Sequence, residues 1–419
     1  MIRITTGRLL FCALLAGLAG FAQPAKAQSE VVIGAVYPLS GPAAPVGVDA
    51  RAALDTATDI INNSYDIAVP LAKGSGLPHL GGAKVKVVWA DHQADPQKGR
   101  AEAERLITEE KVVALVGAYH SAVSAVIGQV TERYQIPFVT LESSSPSLTR
   151  QGFKWFFRTG PHDEMFSEAM FGMLKALKEK RGITVNSIAL FHEDTLFGTD
   201  SAKIQHKLAE AAGIKVVADI KYRSNSPSLT AEVEQLKASG ADVVMPTSYT
   251  NDAILLVKTM GELGYKPKAI IAQDAGFSES AFFAAVGDKV EGLLSRASFA
   301  LDLMAKRPSV KTVNDMYRKR SGKDLNENTA REITGFLVLA DAIDRAGSTK
   351  PEAIRKALQE TDIPPSMLIM PWGGIKFDAS GQNTLATPVM VQYLDGQYRT
   401  VWPFESASRE LVWPMPWKK

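Results

Sequence analysis

The segment Val31-Val-Ile-Gly-Ala-Val-Tyr37 is an almost continuous apolar run, and residues 50–61 follow it with apolar side chains at helical spacing. A short buried strand that leads into an amphipathic helix is the repeating unit of sheets whose strands run parallel. The same alternation continues to about residue 272. The sequence therefore predicts an α/β protein built on doubly wound parallel sheets, with helices on both faces.

The predicted strands form two blocks, separated near Phe157-Arg-Thr-Gly160. Chains longer than roughly 250–300 residues usually divide into domains. A chain of 419 residues is therefore expected to form two lobes, each with its own sheet. The first block contains strands at 31–37, 85–89, 112–116 and 138–141, and the second contains strands at 187–191, 216–220, 243–246 and 269–272.

The N-terminal residues have the pattern of a secretory leader. Arg3 and Arg8 precede an apolar run at residues 9–16, and Ala25-Lys-Ala27 offers a cleavage site with small residues. This order of basic start, short apolar region and small residues is typical of a signal peptide that is removed on export. We expect cleavage after Ala27, so that residues 1–27 are lost and the mature protein acts outside the cytoplasm, in the periplasm.

Composition excludes several classes of function once the leader is removed. The single cysteine, Cys12, lies in the leader, so the mature chain has no disulfide or cysteine-bound metal. The leader also holds three of the 47 basic residues and none of the 45 acidic ones, so the formal net charge changes from +2 to −1. A mature chain with this balance lacks the basic surface that nucleic-acid binding requires.

Motifs of known catalysts and cofactor sites are missing. The sequence contains no G-x-S-x-G elbow, no phosphate-binding G-x-x-x-x-G-K-[S/T] loop and no dinucleotide G-x-G-x-x-G motif. The six histidines are scattered without the spacing of metal ligands. We therefore expect a protein that is not an enzyme and holds no cofactor or metal.

Hydroxyl side chains follow two predicted strands of the first block. Ser121 comes after the strand at 112–116, and Ser143, Ser144 and Ser145 come after the strand at 138–141. Ligands of parallel sheets bind at the carboxyl ends of the strands, where helix N-termini present free N–H groups. These serines are candidates to bind a carboxylate, and helix N-capping is the alternative.

Other side chains at the same edge suit an organic ligand. Tyr119, Phe197 and Tyr249 are aromatic residues in strand-to-helix loops, where they would wall a pocket or pack against the core. Asp274 follows a strand of the second block and would neutralise a ligand ammonium or cap the next helix. His120 would donate to the ligand or only bond within its own loop.

Taken together, these segments resemble the leucine/isoleucine/valine-binding branch of the type I periplasmic binding proteins, which serve ABC transporters of branched-chain amino acids. The resemblance extends from Val31 to about Gly347 and is looser beyond it. It is carried by Ile33–Pro42, Asp91–Lys98, Val112–Ser124, Ile136–Thr149, Phe157–Thr159 and Leu263–Pro267.

The resemblance implies two lobes joined by a hinge of three crossovers that close on a ligand. The expected lobes are residues 28–160 with 298–384 and residues 161–297 with 385–419. Ser121 and Ser144 would bind the ligand carboxylate, and the Ser143 carbonyl would face its ammonium. The site residues implied in all are Tyr119, His120, Ser121, Ser143, Ser144, Phe197, Tyr249 and Asp274.

The implied function is a monomeric subunit that gives a small amino acid, branched-chain or aromatic, to a membrane permease. Glu142 and Val46 depart from the family pattern, because relatives often carry a small residue and an aromatic residue there. An ammonium-free aromatic carboxylate or an amide is therefore the alternative ligand. A sensory subunit of the same fold, which signals to a membrane receptor, is the alternative role.

Overall fold

The computed structural model of this chain describes residues 30–417. The predicted leader, residues 1–27, lies outside the described residues. The described chain folds into two α/β lobes, each centred on one sheet. None of the helices described has the length and hydropathy of a segment that crosses a bilayer.

The first lobe contains a five-stranded sheet in which every neighbouring pair runs parallel, in the order β2-β1-β3-β4-β5. Its strands are β1 (Glu30–Tyr37), β2 (Lys84–Asp91), β3 (Ala114–Gly117), β4 (Phe138–Thr140) and β5 (Phe156–Arg158). Its first helices are α1 (Ala44–Asn62), α2 (Pro96–Thr108) and α3 (Ser121–Tyr134). Apolar clusters cover both faces of the sheet, as parallel strands require.

The second lobe contains a seven-stranded sheet in the order β14-β13-β10-β9-β8-β6-β7. Its strands are β6 (Ser187–Glu193), β7 (Lys215–Tyr222), β8 (Val243–Thr247), β9 (Ala269–Ala272), β10 (Leu294–Ala297), β13 (Val389–Leu394) and β14 (Gln397–Trp402). Its helices are α4 (Asp163–Arg181), α5 (Leu196–Ala212), α6 (Thr230–Ser239), α7 (Thr250–Glu262) and α8 (Ser280–Val286).

The chain returns to the first lobe after β10. It forms a 3-10 turn at Leu301–Ala305 and then α9 (Pro308–Ser321), α10 (Glu327–Ala346) and α11 (Pro351–Gln359). A two-stranded ribbon, β11 (Asp362–Ile363) with β12 (Ile375–Lys376), precedes the last passage into the second lobe. Helix α10 begins with a capping box, in which Asn326 and Thr329 bond each other's backbone N–H groups.

Three segments connect the lobes: residues 159–162, 298–300 and 377–388. Lobe boundaries after residues 160, 297 and 384 remain our proposal. The first and third segments are bonded to each other, because Gln382 Nε2 donates to Gly160 O at 2.9 Å and Asn383 Nδ2 donates to Thr159 O at 2.9 Å. These bonds tie two of the crossovers into one unit.

Two local expectations were wrong. The serine run leads into a 3-10 turn at Pro146–Arg150 rather than an α-helix. Helix α5 begins at Leu196, so Phe197, which was expected in a strand-to-helix loop, lies in the first turn of a helix. The expected parallel sheet is confirmed for β6 to β10, and β13 and β14 extend it as an antiparallel pair.

Candidate functional site

The loops singled out in the sequence meet between the lobes. Strand β3 leads through Tyr119 and His120 into α3, and β4 leads into the serine run. From the second lobe, Tyr249 occupies the N-cap position of α7, and Phe197 lies in the first turn of α5. The carboxyl ends of both parallel sheets therefore face the same cleft, where ligands of such sheets bind.

Backbone strain marks both sides of this cleft. Tyr119 has φ of 70° and Asp274 has φ of 63°, in the left-handed region that disfavours side chains. No larger residue fits at Gly117, because a Cβ there would lie 2.3 Å from the Val36 carbonyl oxygen. Residues held in such conformations cluster at ligand sites, since the surrounding structure must over-determine them.

Ser121 joins the two lobes and the two loops of the first lobe. Its backbone N–H donates to the Tyr249 hydroxyl at 3.4 Å, and its Oγ accepts from the Ser145 N–H at 3.3 Å. His120, not Ser121, occupies the N-cap position of α3, and it makes no side-chain capping bond. Ser121 is the first residue of the helix, so its N–H has no acceptor within the helix and is bonded here by the Tyr249 hydroxyl instead.

The three serines of the run have different environments. Ser143 Oγ donates to Tyr119 O at 3.0 Å and lies 2.7 Å from Ser124 Oγ. These bonds connect the serine run to the loop that contains Tyr119. Ser145 Oγ donates to Asp200 of the second lobe. Ser144 lines the small chamber in the cleft. Within residues 30–417, the hydrogen bonds of the histidine rings go to other residues than these three serines.

Arg158 stabilises the serine run through its backbone carbonyl groups. Its Nη1 donates to Ser143 O at 3.3 Å and to Ser145 O at 2.6 Å, and its Nε donates to Gln382 Oε1 at 2.7 Å. The Ser143 carbonyl, expected to face a ligand ammonium, is thus engaged by a guanidinium. The loop conformation is set by a cation that also touches the third crossover.

An aromatic cluster closes the cleft. The ring of Tyr249 lies 5.2 Å from that of Tyr119, 4.5 Å from that of His120 and 5.3 Å from that of Phe197, measured between centroids. Burial lowers the pKa of His120 well below its ordinary value, so its ring is neutral. This cluster spans both lobes and therefore exists only when they are closed.

Asp274 pairs one carboxylate oxygen with an arginine, whereas its Oδ1 is buried without a hydrogen-bond partner among the described residues. Its Oδ2 lies 3.2 Å from Arg296 Nη1, and the adjoining 3-10 turn at Gly276–Ser278 has no side-chain cap, so Asp274 does not serve as a cap either. Arg296 Nη1 also lies 2.9 Å from Glu327 Oε1. Burial and the neighbouring Glu327 carboxylate raise the pKa of Asp274 well above its ordinary value, which favours its neutral form.

Sequence reasoning missed two buried arginines in the cleft, Arg296 and Arg331. Arg331 on α10 places Nη1 3.1 Å from the same Glu327 oxygen that Arg296 binds, and its Nη2 donates to Glu142 O at 2.6 Å. The guanidinium carbon of Arg296 lies 3.6 Å from the centroid of the Phe166 ring. The one available signal was Glu327 and Arg331 at helical i,i+4 spacing within a mostly apolar helix.

Glu142 lines the same chamber. Its Oε1 accepts from the Tyr37 hydroxyl at 3.1 Å. Burial raises the pKa of Glu142 to about 7, although Glu332, Arg331 and Tyr37 act in the opposite direction. Burial and the adjacent Glu142 also raise the pKa of Glu332 well above its ordinary value. The two carboxyl groups therefore form a pair that holds at least one proton near neutral pH.

The chamber between these side chains has a volume of about 10 Å³. Five of the eight expected site residues line it, whereas His120, Ser143 and Asp274 surround it without lining it. The lining consists of Tyr119, Ser121, Glu142, Ser144, Phe197, Tyr249, Ala275, Arg296, Asn328 and Arg331. Within residues 30–417, no cluster of histidine and acidic side chains has the arrangement of a metal site.

A family comparison covers most of the chain. Residues 30–398 match the family model described as periplasmic binding protein. The chain belongs to this family. A Leu/Ile/Val-binding protein homolog 7 from Brucella suis is 30% identical over 413 residues, which cover 97% of this chain and 98% of that protein.

Solved structures share the fold. The leucine-binding protein LivK from Thermotoga maritima superposes with a TM-score of 0.75 at 22% identity, covering 88% of this chain and 97% of that one. A solute-binding protein of an ABC transporter from Rhodopseudomonas palustris, in complex with 4-hydroxybenzoate, gives a TM-score of 0.73 at 20% identity, covering 88% and 95%. The two-lobed fold of this family member is thus that of the type I periplasmic binding proteins.

Proposed function

We propose that this protein is the periplasmic solute-binding subunit of an ABC importer, which binds a small organic carboxylate between its lobes and delivers it to a membrane permease. The observation that carries the proposal is the chamber in which Ser121, Ser144 and the N-terminus of α3 meet side chains of the second lobe. Hydroxyl and N–H donors at a helix N-terminus are suited to a carboxylate. We infer that the protein is a monomeric binder without enzymatic activity.

A branched-chain or aromatic amino acid is the first ligand candidate. The names of the Brucella suis homolog and of LivK refer to leucine and related amino acids. In this reading the Glu142 carboxyl, which lines the chamber, replaces Asp274 as the partner of the ligand ammonium. Glu142 stands on the same loop as Ser144, so one loop would contact both ends of the amino acid.

An ammonium-free aromatic carboxylate is the second candidate, and a specific contact favours it. Asp274 is paired with Arg296 at 3.2 Å, so the acid expected for an ammonium is already neutralised. The Rhodopseudomonas palustris structure that shares this fold is described with 4-hydroxybenzoate.

Serine substitutions test the carboxylate site under both readings. A hydrogen bond to a charged group contributes roughly 1.5–3 kcal/mol, and about 1.4 kcal/mol corresponds to a factor of ten in affinity. We expect Ser121→Ala and Ser144→Ala each to weaken binding about tenfold or more in calorimetric titrations with leucine, phenylalanine and benzoate. Ser228→Ala, at an exposed position, is the matched control. Unchanged affinity of both variants for a ligand that binds the wild type would refute the site.

The transport role needs its own experiment. In proteoliposomes that contain the cognate permease and its ATPase, the liganded protein should stimulate ATP hydrolysis above the level reached with the ligand-free protein. Failure to stimulate any permease, together with binding to a membrane receptor, would instead identify the sensory role.

A further inference from the structure

A second, larger cavity lies between the lobes beside the middle crossover. Its volume is about 260 Å³, and the crossover residues Phe299 and Ala300 form part of its wall. We call it the hinge cavity, and define it by the five aromatic residues that surround it. These are Phe283, Phe299, Tyr317, Tyr393 and Tyr398.

The volumes of the two spaces decide where the body of a ligand fits. The chamber at the serines measures about 10 Å³, which is close to the space that a single water needs. That volume holds a carboxylate oxygen but not a ring or a branched side chain. Of the two spaces that Arg296 borders, the hinge cavity is the one with room for an organic group of that size.

Arg296 is the wall that both spaces share. Its Nε donates to Gln273 O at 2.9 Å, and its Nη1 is bound by Asp274 and Glu327. Nη2 donates to no acceptor within the described residues. A buried guanidinium with an unused N–H group is suited to bind a carboxylate at the boundary between the two spaces.

The charges around this boundary disfavour a cation. Arg296 and Arg331 bind one oxygen of Glu327, at 2.9 and 3.1 Å, so two guanidiniums share one carboxylate. Asp274 adds little negative charge, because burial and Glu327 raise its pKa well above the ordinary value. At the far end of the cavity, Lys323 and Asp49 neutralise each other at 2.7 Å. A bound anion would offset the excess positive charge of the two guanidiniums, whereas a bound ammonium would add to it.

We propose that the hinge cavity is the compartment for the ligand body, and that it takes the ring of an aromatic carboxylate whose anionic end lies at Arg296 and reaches toward Ser121 and Ser144. Five aromatic side chains supply the apolar wall that such a ring prefers. The proposal rests on the proposed function and narrows its ligand class to ammonium-free aromatic acids.

Two leucines of one 3-10 turn give a matched test. Leu301 and Leu303 are both partly buried in the turn Leu301–Ala305, but only Leu301 lines the hinge cavity. We expect the wild type to bind benzoate or phenylacetate more tightly than leucine in calorimetric titrations. Leu301→Trp should weaken binding of these acids at least tenfold, because the indole occupies the cavity, and Leu303→Trp should leave it within about twofold.

A second variant, at the opening of the cavity, keeps the test valid if Leu301→Trp does not fold. Gln397 lines the cavity from an exposed position, so Gln397→Trp narrows it without disturbing a core, and it should also weaken binding of the aromatic acids. Thermal unfolding of each variant shows that it is folded.

The outcomes separate this proposal from the function. Binding of leucine but of neither aromatic acid, or aromatic binding that Leu301→Trp and Gln397→Trp leave unchanged, overturns the hinge-cavity proposal and leaves the solute-binding role intact. If aromatic binding responds to these two variants but not to Ser121→Ala and Ser144→Ala, the serine site fails and the hinge cavity stands. If no carboxylate of the set binds, both are overturned.

Discussion

At the scale of single residues, Glu142 is the least conventional member of the site. It is 4% exposed, receives a hydrogen bond from Tyr37 and faces Glu332 in the same buried pocket. A buried carboxylate pair is stable only when a proton is shared, because two adjacent negative charges would repel each other. Protonation of this pair therefore couples the fold to pH.

The sign of this coupling follows from the raised pKa. Burial raises the pKa of Glu142 from 4.5 to about 7, so between these values the folded chain keeps a proton that the unfolded chain releases. The free energy of unfolding then falls as pH rises through this window, by on the order of 3 kcal/mol at about 1.36 kcal/mol for each pKa unit.

We predict that Glu142→Gln loses less stability than the wild type between pH 5 and pH 8, because the amide does not ionise. Urea unfolding at several pH values measures the difference. Glu234→Gln, which makes the same chemical change at an exposed position of α6, is the control. Parallel pH profiles for wild type and Glu142→Gln would contradict the assignment.

Site residues on local sequence patterns could be predicted, and those that depend on distant contacts could not. Ser121, Ser144 and Tyr249 follow apolar strands, so the sequence alone places each of them at the carboxyl end of a parallel strand, the two serines in the first lobe and Tyr249 in the second. The state of Asp274 was unpredictable because its partner, Arg296, comes from another strand and is joined by Glu327 of the other lobe. Which of those charges remains available is a property of the packed structure.

At the scale of elements, the long connection after α1 turns out to be part of the core of the first lobe. Ile67, Val69 and Leu77 are buried in the same apolar cluster as α1 and α10. His79 anchors its far end, because the backbone N–H donates to Asp344 Oδ1 at 2.8 Å and Nδ1 lies 2.7 Å from Oδ2. The segment stabilises the lobe away from the cleft.

We predict that Leu77→Ala lowers the free energy of unfolding by about 2–5 kcal/mol, the range for emptying a buried leucine site. Leu77 is 0% exposed, whereas Leu80 in the same connection is only partly buried, so Leu80→Ala should cost clearly less. Chemical denaturation of both variants provides the comparison. Ligand affinity should stay unchanged in both, and equal losses of stability would contradict the packing described.

Regular alternation predicted the parallel strands and their helices well, and the C-terminal elements poorly. Strands β13 and β14 come after the alternation ends, and the tryptophan-rich tail has no periodicity. The structure gives that tail a packing role: Trp402 covers Gly172 of α4, and Trp417 Nε1 donates to Pro267 O at 2.7 Å. Such contacts join residues far apart in sequence, so no local sequence pattern predicts them.

At the scale of the whole molecule, the closed arrangement is held by polar contacts at the cleft edge. Asp200 on α5 accepts hydrogen bonds from Ser145 and Ser147 of the first lobe, the latter at 2.6 Å. Asn328 Nδ2 donates to Glu279 Oε1 of the second lobe at 2.6 Å. Hinge closure in two-lobed binding proteins requires contacts of this kind that break on opening.

We predict that Asp200→Ala shifts the ligand-free protein toward the open form, because two hydroxyls of the first lobe lose their common acceptor. Small-angle scattering should give a larger radius of gyration than for the wild type, and saturating ligand should restore a smaller one. Glu210→Ala, at an exposed position of the same helix, should scatter like the wild type. An unchanged radius for Asp200→Ala would show that these bonds do not hold the lobes together.

The three passages between the lobes also determine when the protein can fold. Helix α10, which covers the first sheet, follows the second lobe in the chain, and the second sheet lacks β13 and β14 until residues 389–402 have been made. Contacts between such distant segments form slowly because the intervening chain must first be closed into a loop. Neither core can be finished during early synthesis. The nascent chain therefore cannot complete its native fold until late, which leaves time for the export that the predicted leader implies.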